Sequence, residues 1–216
     1  MSIYNGKFIV VEGLDGAGKT SATKQILKIL RYYGIVNVNI VRDPGGTPLS
    51  EILRLLITGK FNYNIDEPTN YAELFMLYAA RVQLIEKFIK PKLKKNYWVI
   101  SDRYYLSSYA YQSGGRCINN QILKFLDNII LHGVYPDLTI FLDVLPKTGL
   151  NRIRNNNTRL DRIENESLNF FYRVYNYYKK LVKFNKNIIC INANQSLSIV
   201  NQEINYYISK WLMKIM

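Results

Sequence analysis

The sequence predicts an α/β fold, a five-stranded parallel sheet covered by helices on both faces. Two observations predict it. The apolar run Phe8–Val11 leads through a glycine-rich turn directly into a helical stripe, and strand-like apolar runs then alternate with amphipathic segments to the end of the chain. No internal repeat and no linker divides the chain. Its 216 residues, 48% of them hydrophobic, therefore suit a single domain over residues 1–216 with an ample core.

Each element has its own signal. Ala22, Gln25, Ile26, Ile29 and Leu30 give the stripe of a first helix from Thr20 to about Tyr33, which Gly34 ends. Val38–Val41 reads as a second strand, Arg42–Thr47 as a loop at its C-terminal end, Leu49–Ile57 as a short amphipathic helix and Phe61–Pro68 as a polar connection. Thr69 suits the cap of a long helix running to about Lys95, with Leu74, Leu77, Tyr78, Arg81, Leu84, Ile85 and Phe88 on one face and Pro91 as a point of kinking or division. Trp98–Ser101 is the third strand, and Leu106–Tyr111 is expected to be helical until Gly114-Gly115 breaks it. Gln121–Leu131 is a helix closed by Gly133, Leu138–Val144 the fourth strand, and Pro146 fits the first turn of the next helix. Asn151–Arg162, polar and basic around Asn155-Asn156-Asn157, reads as a mobile flap. Ser167 caps a helix to about Phe184, Ile188–Ile191 is the last strand, and a final helix runs from Ser196 through Trp211.

Composition excludes some functions. No apolar stretch behind a basic patch marks a signal peptide and no segment has the length of a membrane span, so a cytoplasmic protein with no membrane partner is expected. Cys117 and Cys190 lack metal-like spacing and read as reduced, incidental thiols. The net charge of +13 is compatible with polyanion binding. The lysines are scattered, however, and accompany abundant Asn, Ile and Tyr, the signature of codon drift in an A+T-rich genome; no nucleic-acid partner is expected.

The chemistry centres on Gly13-Leu14-Asp15-Gly16-Ala17-Gly18-Lys19-Thr20, which fits the phosphate-binding pattern G-x-x-x-x-G-K-[ST]. Glycines let backbone amides close around phosphate oxygens, the helix N-terminus adds positive potential, Lys19 bridges the outer phosphates and the Thr20 hydroxyl ligates Mg²⁺. A nucleoside triphosphate is the expected guest. Asp102, at the end of the third strand, has the place of the second magnesium-holding group, in preference to Asp143. Arg42, Arg81 and Arg103 lie near strand ends or on a helix able to face the cleft, which suits a second phosphate-bearing substrate.

Taken in order, Glu12–Thr20, Arg42–Thr47, Tyr78–Gln83, Asp102–Tyr104, Ala110–Arg116 and Leu160–Glu164 resemble the motifs of bacterial thymidylate kinases of the enterobacterial kind. The resemblance implies a P-loop nucleoside-monophosphate-kinase fold, transfer of a phosphoryl group from ATP to dTMP with Mg²⁺, and a homodimer paired through the helices that include Tyr71–Phe88. It assigns Asp15 to the acceptor sugar hydroxyl or the metal, Arg42 and Arg103 to the dTMP phosphate, and Arg81 to the thymine edge. Tyr111 is assigned to the sugar 2′-position, and Ser108 and Gln112 to the base or sugar pocket.

The flap corresponds to the family's lid, about residues 151–162. With no basic residue inside the P-loop, the lid must supply the cation that neutralises the transferring group, from among Arg152, Arg154, Arg159 and Arg162. Arg154 ranks first and Arg159 second, in a lid one residue longer and poorer in arginine than the family's. The family's stacking phenylalanine is replaced by Leu77, leaving either an apolar wall or a re-aimed Phe75 against the base. Two rival activities remain, a deoxynucleoside kinase acting on thymidine and a P-loop regulatory ATPase.

Overall fold

The computed structural model describes residues 6–61, 66–156, 159–183, 185 and 187–216. Parts of the expected Phe61–Pro68 connection, of the Asn155-Asn156-Asn157 run and the Phe184 helix end lie outside them. Five strands, β1 (Phe8–Gly13), β2 (Val38–Arg42), β3 (Trp98–Asp102), β4 (Leu138–Asp143) and β5 (Ile188–Asn192), form an all-parallel sheet in the order β2-β3-β1-β4-β5. β1 pairs with β3 from Phe8↔Val99 to Val11↔Asp102 and with β4 from Ile9↔Leu138 to Gly13↔Leu142. Its residues are buried on both sides, which explains the unbroken apolar run. Because side chains alternate along a strand, Ile9 and Val11 enter one core with Ile26, Ile140, Phe171 and Ile204. Phe8 and Val10 enter the other with Ile85, Ile89, Leu93 and Val134. The strand order reverses about β1, and open α/β sheets bind ligands beyond the strand ends at such a point.

The connecting helices are α1 (Lys19–Tyr32), α2 (Pro48–Thr58), α3 (Asn70–Leu84), α4 (Lys90–Lys94), α5 (Tyr105–Ser108), α6 (Asn120–Ile130), α7 (Pro146–Asn156), α8 (Leu168–Lys183) and α9 (Leu197–Ile215). Their N-caps behave as the residue types predict: Thr69 accepts from the Ala72 amide, Ser167 from Phe170 and Ser196 from Ile199.

The structure adds detail to two expectations and corrects a third. The helix expected from Thr69 to about Lys95 runs without a break from Asn70 to Lys94, as α3, a stretch of widened π-type turns at Ile85–Ile89, and α4; Pro91 follows the widened turns and does not divide it. The helix that includes Leu106–Tyr111 does end at the glycine pair, but the pair forms its last turn and is not merely a break after it. Widened turns run from Tyr109 through Gly115, and the glycines are needed for close packing: a Cβ on Gly114 would stand 2.6 Å from the Tyr177 Cβ on α8, and one on Gly115 would strike the Phe170 ring. The flap, finally, is not irregular from Asn151 onward. α7 continues to Asn156 because Leu150 and Ile153 bury an apolar edge in the core.

Candidate functional site

The phosphate loop joins β1 to α1 and opens onto a cleft of about 950 Å³ lined by Asp15–Thr23, Arg42, Arg54, Asp102, Arg103, Arg152 and Gln195 among others. Gly16 has a φ of +75° and lies so close to Gly149 in the first turn of α7 that neither position has room for a side chain. Lys19 is buried and folds back, its Nζ donating to the Leu14 carbonyl at 2.8 Å and lying 3.8 Å from Asp15. Burial, then the nearby Arg103 charge, lowers its pKa. The Thr20 hydroxyl donates to Asp102 Oδ2 at 3.3 Å, so two oxygen donors stand together at the loop's exit. They fit Mg²⁺, which takes most of its ligands from water and phosphate.

Arg103 follows β3 with a φ of +73°, a left-handed backbone that costs energy in a side-chain-bearing residue. Its amide donates to the Val11 carbonyl and the Ser101 hydroxyl donates to its carbonyl, and the two bonds hold that turn. The conformation aims the guanidinium back over the loop. Nη2 donates to Asp15 Oδ1 at 2.5 Å and Nη1 to the Gly13 carbonyl at 3.0 Å, while the Tyr111 hydroxyl donates to Asp15 Oδ2 at 2.8 Å. Burial works to raise the Asp15 pKa, but Arg103 and Lys19 hold it well below the ordinary carboxylate range.

A second, smaller cavity of about 100 Å³ adjoins the cleft, and Asp15, Asp43, Arg54 and Arg103 line both. Leu77, Arg81, Ser108, Tyr111 and Gln112 line it; Phe75 does not and is exposed. Arg81 is fully buried, its Nε donating to Asp43 Oδ2 at 2.5 Å and its Nη2 to the Tyr104 carbonyl at 3.3 Å. Burial disfavours its charge, and the Asp43 carboxylate more than offsets that. Four buried atoms on this wall, Asp43 Oδ1, Arg81 Nη1, Ser108 Oγ and Gln112 Oε1, have no hydrogen-bond partner among the described residues. Buried polar atoms are rarely left so, which makes the pocket a site with donors and acceptors ready for a polar guest.

The four arginines of the expected lid separate. Arg152 lines the cleft, donating to the Ala193 carbonyl at 2.8 Å and reaching the Gly16 and Gln195 carbonyls at 3.4 Å. Arg162 is tied by its Nε to the Ile57 carbonyl at 2.9 Å and by Nη2 to Glu73. Arg154 and Arg159 are exposed and line neither cavity. Arg42 lines the cleft, half exposed and paired with Glu51 at 2.6 Å.

Sequence reasoning passed over several participants. Arg54 on α2 lines both cavities, and its only visible signal is a charge set inside the apolar run Leu53–Ile57. Glu12, buried within β1, accepts from the Tyr104 and Ser107 amides, the Ser107 hydroxyl and the Tyr178 hydroxyl; burial raises its pKa. It knots the Arg103 turn to α8, and an acid inside a buried strand was the clue.

The pattern of the thymidylate kinase family matches residues 11–204, a span that takes in the loop, both cavities and the lid. The chain is 49% identical over 211 residues to the thymidylate kinase of Blochmanniella pennsylvanica, covering 97% of this chain and 98% of that protein. To that of Wigglesworthia glossinidia brevipalpis it is 46% identical over 234 residues, covering 98% and 99%. To that of Baumannia cicadellinicola it is 51% identical over 206 residues, covering 95% and 96%. With the phosphate loop, the adjoining pocket and strands β2 to β5 all inside the matched span, the chain belongs to the thymidylate kinase family.

Proposed function

We propose that the protein transfers the γ-phosphoryl group of ATP to a 5′-phosphate oxygen of dTMP, giving ADP and dTDP. The observation that carries this reading is the small pocket with four unpartnered polar atoms, set against the phosphate cleft with Asp15 and Arg103 at the shared wall. Thymine fills the pocket, and Arg81 donates to its edge. The deoxyribose lies against Tyr111, with Asp15 within reach of its 3′-hydroxyl. Arg42, Arg54 and Arg103 receive the acceptor phosphate, and such a set of guanidiniums argues for a phosphorylated acceptor over thymidine.

ATP lies in the cleft with its phosphates on the loop amides and Lys19. Mg²⁺, held between Thr20 and Asp102, would draw charge from the outer phosphates. The protein's own contribution is positioning and fixed positive charge, since phosphoryl transfer between nucleotides needs little proton transfer. Arg152 is the lid cation already beside the loop. Arg154 and Arg159 remain alternatives that would have to swing inward.

Among the described residues no helix is long and apolar enough to cross a membrane. We place the enzyme in the cytoplasm, with its nucleotide substrates. Exposed apolar side chains on α2 (Leu49, Ile52), α3 (Tyr71, Phe75) and α6 (Phe125, Ile129) support a homodimer built on those helices, which sedimentation equilibrium tests. A coupled ADP-release assay with ATP and Mg²⁺, comparing dTMP, dUMP, dCMP, dGMP, thymidine and no acceptor, tests the activity. Turnover with dTMP, and more weakly dUMP, is expected. Turnover with thymidine alone, or acceptor-independent hydrolysis, overturns it.

A further inference from the structure

We propose that Glu73 sets the pyrimidine selectivity by fixing which end of the Gln112 amide faces the small pocket. The proposal rests on the reading of that pocket as the base site and names a positioning residue on its far side.

Glu73 lies in the first turn of α3 and is 2% exposed. Its Oε1 accepts from Gln112 Nε2 at 2.7 Å and, at the long distance of 3.5 Å, from Arg116 Nε. Its Oε2 accepts from Arg116 Nη2 at 3.1 Å and from Arg162 Nη2. Both arginines are themselves held. Arg116 pairs with Glu166 and lies over the Phe170 ring at 4.8 Å, and the Arg162 amide donates to the Thr58 carbonyl at 3.1 Å. The carboxylate therefore cannot turn away from Gln112 without leaving a buried charge unpaired.

A carboxylate only accepts, so the Gln112 group facing it must be the amide nitrogen. Turning the amide over would set two acceptor oxygens 2.7 Å apart in a buried site. Gln112 Oε1 is thus committed to the pocket, where it is buried and unpartnered among the described residues. The same pocket receives Arg81 Nη1, a donor, also unpartnered and fixed by Asp43 and Tyr104. Gln112 Oε1 and Arg81 Nη1 thus give the pocket an acceptor and a donor of fixed sense, beside the Ser108 hydroxyl, which serves as either, and the acceptor Asp43 Oδ1. Thymine and uracil offer the complement, an N3–H donor beside the O4 acceptor. Cytosine offers the reverse, a bare N3 beside a 4-amino group.

The test is a selectivity measurement. kcat/KM is determined for dTMP and dCMP with the full-length enzyme, with Glu73→Gln, with Gln112→Leu and with the double variant. In Glu73→Gln the single carbonyl is claimed by the two arginines, leaving an amide N–H₂ toward position 112, which turns the Gln112 amide so that its nitrogen faces the pocket. The ratio of dTMP to dCMP should fall by about tenfold or more, and in the Gln112→Leu background the same change should leave the ratio within about twofold. An unchanged ratio in Glu73→Gln, or an equal fall in both backgrounds, overturns the proposal. Should Glu73→Gln not fold, Glu73→Asp keeps the charge for the arginines but withdraws from the amide, and at least about a threefold fall in the ratio is expected there, an unchanged one again overturning the proposal. Absence of turnover by the wild-type enzyme with dTMP would instead sink the activity on which the proposal rests.

Discussion

A Cβ on Gly149 would stand 2.5 Å from the carbonyl oxygen of Asp15. The first turn of α7 thus presses backbone against backbone on the phosphate loop, and the loop's shape depends on a residue more than a hundred positions away in the chain. Gly149→Ala should force the two apart, weakening ATP binding by about tenfold or more while the circular dichroism spectrum stays native. Calorimetric titration with ATP checks this, and wild-type affinity would mean that the loop accommodates the shift.

The buried pair of Arg81 and Asp43 predicts an asymmetry between single and double variants. Arg81→Met leaves the Asp43 carboxylate uncompensated in the interior and should cost about 3–5 kcal/mol of stability in urea denaturation. Adding Asp43→Asn should recover part of that loss. A double variant as unstable as the sum of the two singles would show that the pair is not coupled.

Among lid cations, placement ranks Arg152 first. Arg152→Ala should lower kcat/KM for ATP by about tenfold or more, and Arg154→Ala by less, in steady-state assays with dTMP saturating. The reverse order would mean that closure brings the exposed arginines inward past Arg152.

Leu77 forms an apolar wall of the small pocket in the place where an aromatic ring would stack on the base. Leu77→Phe should tighten dTMP binding by about 1–3 kcal/mol, measured by titration. No change would indicate that the ring cannot lie flat against thymine there.

The strands, the phosphate loop, the caps at Thr69 and Ser167 and the helix start at Ser196 were legible because each depends on residues adjacent in sequence. Asp102 and Arg103 could be placed at the sheet edge because a buried strand carries the residues at its C-terminal end to that edge. Arg54, Glu73 and Gly149 could not be recognised, since each acquires its role from a distant segment: Arg54 from the meeting of two cavities, Glu73 from Gln112 and Arg162, Gly149 from the Asp15 carbonyl. The packing role of Gly114-Gly115 was hidden for the same reason. Glycine required for packing against α8 is indistinguishable, in sequence, from glycine that ends a helix.

Arg81, Ile85, Ile89 and Leu93 are all buried and recur every fourth residue. On a regular helix of 3.6 residues per turn each such step drifts by about 40°, so the line would wind away from the core. The widened turns at Ile85–Ile89 take up that drift, and the helix acts as a shaft keyed to the core below β3 at one end and to the small pocket at the other. Removing a single residue between the keys would rotate the Arg81 end by about 100° against the anchored end. The number of residues in that stretch, none of which lines the pocket, therefore sets where Arg81 points.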